Sequence, residues 1–356
     1  MKTCFRITAR AGACLSLLTA LSMAFGQEVP QSIKDAVKRA DEAIAKIVSV
    51  PDDQRTYENT LGAYDDMTAH LERDTSMTIF MANVSTDPKV RNDARAAEEF
   101  VGNWSVELGI REDLYKAMKA FAAKKPSLNA EQQRFLDFTL RDYRRQGMEL
   151  SKEKRDRVAE IQKELNRLGI QFDQNIADDE TALPFTVAEL KGVPEDVVKG
   201  MKKAGKDTVI ATMDGPTFSA ILDMAQSEET REKAWIAYKR RGGEKNNEVL
   251  KQLVKLRAEL ASLLGYKTFA DYILEPRMAK NAATVAKFYN DLRPIVRKKA
   301  ELDWAEFKKA KADETKNAKA EFYPWDYSYY KTLLQKKKYA VDGEKVAEYF
   351  PMERVV

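Results

Sequence analysis

The chain has 356 residues, enough for about two domains and a sizeable core. Apolar residues make up 44% and charged residues 33%, which excludes both a membrane-embedded chain and a disordered one. Sixty basic against 56 acidic residues leave a small positive balance, and a single histidine, His70, excludes any site in this chain that needs two imidazoles. Glycine (15) and proline (11) are scarce, which leaves room for long helices and little for a sandwich rich in turns.

Residues 1–26 read as a secretory signal peptide. Lys2, Arg6 and Arg10 form a basic stretch without acids. Ala11 to Phe25 is mostly apolar and short for a bilayer span, and Ala24 and Gly26 suit cleavage near Gly26. Removing the three cations leaves 57 basic and 56 acidic residues, so the charge balance gives no support for a nucleic-acid partner. Both cysteines, Cys4 and Cys14, fall inside this segment. The processed chain then has no disulfide and no thiolate ligand, and the expectation is export to a periplasmic or secreted location without a stable membrane anchor.

The chain that follows reads as helix almost throughout. Apolar residues recur at threes and fours from Gln31 to Arg73, interrupted at Pro51. Asp87-Pro88 is a helix start, with an aspartate cap and proline at the first helical position. Leu128 to Met148 forms another helix, capped by Asn129. A long one runs from Ser151 to about Asp179, with Val158, Ile161, Leu165, Leu168 and Phe172 on one stripe. The stretch Thr181–Pro216 holds three prolines and four glycines, and Leu183–Val187 and Thr208–Thr212 within it read as short strands, the first an edge strand because of Pro184. Helices then resume. Val249, Leu253, Leu256, Leu260 and Leu263 form a stripe ended by Gly265, and a helix from about Ala282 to Lys311 contains Pro294, which should kink it.

The inventory of reactive groups is short. His70 sits on an amphipathic helix and reads as a surface residue. Asp52-Asp53, Asp65-Asp66 and Asp178-Asp179-Glu180 read as solvated charges, because paired carboxylates do acid/base work only across a cleft. No phosphate-binding or dinucleotide-binding glycine pattern and no G-x-S-x-G occurs. One segment differs: six aromatic residues fall between Phe322 and Tyr330. They suit packing between helices, or the wall of a groove that grips extended peptide, in which Trp325, Asp326, Tyr329 and Tyr330 would be the contact residues.

Several blocks then carry a resemblance. Thr212-Met213-Asp214-Gly215-Pro216-Thr217-Phe218 is followed by Glu229-Thr230-Arg231-Glu232-Lys233-Ala234 and Tyr238. Arg257-Ala258-Glu259-Leu260-Ala261, Leu263-Leu264-Gly265-Tyr266, Ala270-Asp271-Tyr272 and Met278-Ala279-Lys280 come next. Pro324-Trp325-Asp326 with Tyr329-Tyr330, then Tyr349-Phe350-Pro351 with Arg354-Val355, close the series, and Thr56-Tyr57-Glu58-Asn59-Thr60 fits upstream. In this order they resemble the thimet oligopeptidase and oligopeptidase A family of zinc metallopeptidases. The resemblance implies a mainly α, long-helix, two-lobed architecture around a channel that admits short peptides. It implies endo-cleavage by a zinc held by the two histidines of H-E-x-x-H and a later glutamate, with the motif's glutamate as general base.

No position of this chain matches that motif, so no catalytic or metal residue is carried over. The expectation is an N-terminal portion of such an enzyme: a helical domain over residues 27–222 with a small β insertion near 181–216, and the first part of the peptidase domain over 223–356. Zinc belongs to the family and none is expected to bind this chain alone. Short peptides and a separate catalytic half are the partners implied. The alternative is a non-catalytic helical protein that binds peptide or acts as a scaffold. A truncated fold of this kind should expose apolar stripes on helices after about Gly243.

Overall fold

The computed structural model describes residues 28–340 and 343–355. The leader expected over residues 1–26 and both cysteines lie outside the described residues. The described chain is mainly α-helical with one small sheet. It packs as two units, one reaching to Ile170 and the other starting at Gln171.

In the first unit, α1 (Gln31–Ser49) buries Ile33, Ala36, Val37, Ala40, Ile44 and Ile47 on one face, the three-and-four spacing of an amphipathic helix. Val50 is extended before Pro51, as the residue ahead of a proline prefers, and the helix stops. Buried Arg55 secures this break. Its guanidinium donates to the Ile47 carbonyl at 3.0 Å and to Asp52 at 2.8 Å, giving an end carbonyl of α1 a partner. A π-helical turn, Tyr57–Gly62, leads directly into α2 (Ala63–Val84). Thr56 caps that turn by accepting from the Asn59 N–H, while the Asn59 side chain accepts from the Thr56 N–H.

The next helix, α3 (Pro88–Gly109), starts where the sequence placed it. The Asp87 carboxylate accepts from the Lys89 N–H at 2.7 Å, and Pro88 fills the first turn. It is followed by α4 (Glu112–Ala123) and α5 (Ala130–Arg145). Asn129 caps α5 in a reciprocal pair with Gln132. The long helix, α6 (Lys152–Ala177), continues from the first unit into the second. Val158, Ile161 and Leu168 of its stripe are buried, whereas Leu165 and Phe172 are half-buried. Gly102 of α3 lies against Asn166 of α6, so close that a β-carbon there would come within 2.4 Å of the amide nitrogen. The core of this unit gathers Ile44, Leu61, Leu114, Met118, Phe121 and Leu136.

The second unit holds the sheet. β1 (Ala182–Thr186), β2 (Lys202–Lys203) and β3 (Thr208–Thr212) are antiparallel in the order β1-β3-β2, with α7 (Glu195–Gly200) between the first two. Pro184 therefore sits on an edge strand, opposite Ile210, where its missing N–H costs no ladder bond on the open side. Phe185, Val209, Ala211 and Met213 pack onto Ile221 and Leu222 of α8 (Gly215–Met224), which Asp214 caps through the Thr217 N–H. Then come α9 (Glu228–Lys239) and α10 (Gly243–Leu263). At the end of α10, Gly265 adopts φ +79°. Its N–H bonds to Ser262 and that of Tyr266 to Ala261, the left-handed termination expected from the sequence.

After α11 (Phe269–Leu274), α12 (Ala282–Thr315) runs as one 34-residue element through Pro294. A 3-10 turn at Pro324–Asp326 leads into α13 (Tyr327–Tyr339), and α14 (Gly343–Ala347) and α15 (Met352–Val355) follow. Helices beyond Gly243 do expose apolar side chains: Leu250 and Val254 on α10, and Phe288, Tyr289, Leu292, Ile295, Val296 and Leu302 on α12. Among the described residues no helix is long and apolar enough to cross a membrane.

Candidate functional site

The residues singled out in the aromatic segment converge on one buried charge, the Asp326 carboxylate, which is fully buried. An isolated carboxylate in such a place would be strongly unfavourable, so its partners explain the local fold. One oxygen accepts from the Arg231 guanidinium of α9 at 2.7 Å. The other accepts from Lys311 Nζ of α12 at 2.7 Å and from the Tyr323 N–H at 2.9 Å. Both cations are themselves almost wholly buried, and Lys311 also contacts the half-exposed Glu228 at 2.7 Å. Arg231 also donates to the carbonyls of Ala225 and Gln226, while its buried Nε has no hydrogen-bond partner among the described residues. Asp326 thus ties α9, α12 and the start of α13 together.

The rings pack around this knot. The Arg231 guanidinium lies 4.4 Å from the centre of the Tyr329 ring. The Tyr329 hydroxyl donates to Glu314 at 2.6 Å. Tyr329 and Tyr330 pack with Phe322, and both are buried. Burial, then the Glu314 carboxylate, pushes both phenols well above the ordinary tyrosine range. Trp325 is half-buried on the other side. It stacks on the exposed Tyr323 at 4.8 Å and meets Trp235 edge-on at 6.0 Å.

All four expected groove residues therefore lie together. Asp326, Tyr329 and Tyr330 spend their polar groups on internal partners, and of the four Trp325 is the one that reaches the surface. In this arrangement Asp326 holds structure; it does not face a reacting bond. Arg231, Lys311, Glu228 and Glu314 were not recognised as part of this group. The available signal was charge at core positions, with Arg231 sharing the inner face of α9 with Ala234, and Lys311 sharing that of α12 with Phe307 and Ala310.

The other candidates disperse. His70 is exposed on α2. Asp65 and Asp66 are exposed in the first turn of the same helix, and Asp52 is spent on Arg55. Asp179 is structural. It accepts from the N–H groups of Thr181 and Gly242, fastening the entry of β1 to the turn before α10. These bonds, the Thr181 side chain first, hold its carboxyl below the usual range. Among the described residues, no three histidine, cysteine, aspartate or glutamate side chains gather closely enough to hold a metal ion.

Comparison with known proteins gives this arrangement its context. Residues 221–356, which include every member of the Asp326 knot, match the model of peptidase family M3. This part of the chain is similar to peptidase family M3. It is 29% identical to a thimet-like oligopeptidase of Dictyostelium discoideum over 93% of this chain and 51% of that protein. It is 29% identical to saccharolysin of Saccharomyces cerevisiae over 78% of this chain and 41% of that protein. To oligopeptidase A of Escherichia coli it is 28% identical, over 93% and 52%. The chain thus spans about half the length of the curated relatives it matches.

These relatives correct the expectation of export. Two of the relatives are named for other compartments, a probable cytosolic oligopeptidase A and a mitochondrial intermediate peptidase of Arabidopsis thaliana. A periplasmic or secreted placement does not follow from this family. The physical reason for the misreading is that a basic, acid-free N-terminus is shared by secretory leaders and organellar transit peptides, so its composition does not decide the compartment.

Proposed function

We propose that this chain forms the helical, peptide-handling part of an M3 oligopeptidase acting on short peptides, and that it does not hydrolyse peptide bonds by itself. The likeness to oligopeptidases over more than nine-tenths of the chain supports the first half of this reading. One observation carries the second half. The single histidine stands exposed on α2, and no described side chains complete a ligand set around it.

A catalytic zinc needs three protein ligands and an open position, and it supplies a water acidified toward neutral pH. The donors among the described residues do not fit that ion, so no catalytic step is assigned to them. A separate catalytic half would bring the metal ligands. In this reading residues 27–222 form a helical domain with its β insertion, and residues 223–356 contribute the first part of the peptidase domain. The Asp326 knot then holds a groove wall from within, with Trp325 and Tyr323 as the stacked outer face.

The test is hydrolysis of an internally quenched short peptide by the purified chain with added zinc. No cleavage above buffer is expected. Cleavage that a chelator abolishes and zinc restores would overturn the reading.

A further inference from the structure

A pocket of about 390 Å³ opens in the first unit, beside α4. Glu112, Tyr115, Lys116 and Lys119 line one wall, at the spacing that puts residues on a single helix face. Met148, from the turn after α5, and Arg155, from the first turn of α6, line the other. Its size is at the small end of ligand sites. It differs from the apolar stripes beyond Gly243, because its rim is charged and all of its walls belong to this one unit.

The charges divide into a spent pair and a free pair. The largely buried Arg155 side chain donates to the Glu112 carboxylate and, at 3.2 Å, to the Leu150 carbonyl. Lys116 reaches Glu112 only at 3.7 Å, with both side chains at least half exposed, which makes a weak pair. Lys119 has no ion-pair partner among the described residues, and its Nζ stands 5.4 Å from the centre of the Tyr115 ring. Three cations against one carboxylate leave two positive charges in excess. They stand over a floor made by buried Met148 and the half-buried Tyr115 ring.

We propose that this pocket holds the C-terminal residue of a short peptide, with its carboxylate between Lys116 and Lys119 and an apolar side chain on Tyr115 and Met148. The proposal rests on the reading that the chain handles short peptides. A peptide's end joins one negative charge to an apolar body, which matches the rim and the floor together. An inorganic anion would leave the floor unused, and an internal peptide segment would leave the lysines unused. A hydrogen bond from an ammonium to a carboxylate is stronger than one between neutral groups, so the terminal charge sets the selectivity.

The test is isothermal titration calorimetry of the full chain with N-acetyl-alanyl-leucine and with its C-terminal amide, in chelator so that no peptide is cleaved. The acid is expected to bind with a Kd of about 1 mM or below, and the amide about tenfold more weakly. Exchanging leucine for glycine in the acid should weaken it several-fold, because the apolar contact is lost. The double variant Lys116→Gln/Lys119→Gln should lower the acid to the affinity of the amide. Both lysines are exposed, so the fold does not depend on them, and circular dichroism checks that helicity is kept. Equal binding of acid and amide, or binding that ignores the lysine changes, keeps the peptide-handling reading and overturns this pocket. Failure of both peptides to bind overturns the pocket as well, and reaches the wider reading only if a longer peptide also fails to bind.

Discussion

Replacing Asp326 by asparagine keeps the shape of the buried side chain and removes its charge. Arg231 then retains two carbonyl partners and Lys311 retains Glu228, but each loses a carboxylate oxygen at 2.7 Å. Glu228 is partly exposed, so solvent weakens its hold on Lys311. Two cations that water does not reach are left under-compensated. Removing one member of a buried ion pair costs about 3–5 kcal/mol, a large part of the roughly 5–15 kcal/mol that holds a domain folded. Urea unfolding followed by tryptophan fluorescence reads this directly, because Trp235 and Trp325 lie beside the knot. Asp326→Asn should lower stability by about 3 kcal/mol or more. Adding Lys311→Met should recover part of that loss, because it removes one stranded charge. A loss under about 1 kcal/mol in the single variant would refute the reasoning.

Three further outcomes are expected. In an alkaline titration, the phenolate absorbance of Tyr329 and Tyr330 should not rise with the ordinary tyrosines near pH 10. Their pKa values are raised in the folded state, so their stabilising contribution is complete below about pH 10 and is lost as pH climbs above it. All fourteen tyrosines titrating together in the folded chain would contradict this. Asn129→Ala removes the reciprocal cap of α5 and should cost about 1 kcal/mol in urea unfolding, with Asn129→Asp close to neutral; equal losses in the two would deny the capping role. Gly192→Ala should cost about 3 kcal/mol, because Gly192 has φ +101° and a β-carbon would come within 2.3 Å of the Met224 carbonyl; unchanged stability would show that the turn adapts.

Local features were legible in the sequence. Asp87 with Pro88, Asn129 and Gly265 mark helix ends through capping chemistry that involves only neighbouring residues, and each sits where it was expected. Pro184 identified an edge strand for the same reason. The π-helical turn at Tyr57–Gly62 was not legible, since its extra residue per turn leaves the three-and-four spacing almost unchanged. The Asp326 knot was legible only in part. The aromatic cluster drew attention to the segment, but Arg231 is 95 residues away, and no local spacing joins the two. The compartment was misread because leaders of different destination share one composition.

The most direct measurement of the central claim is equilibrium dialysis of the folded full chain against zinc, with bound metal quantified per polypeptide. A chain that lacks the catalytic ligands should retain no stoichiometric zinc, and Ala in place of His70 should change nothing. One tightly held zinc per chain, lost with His70 and accompanied by peptide cleavage, would contradict it.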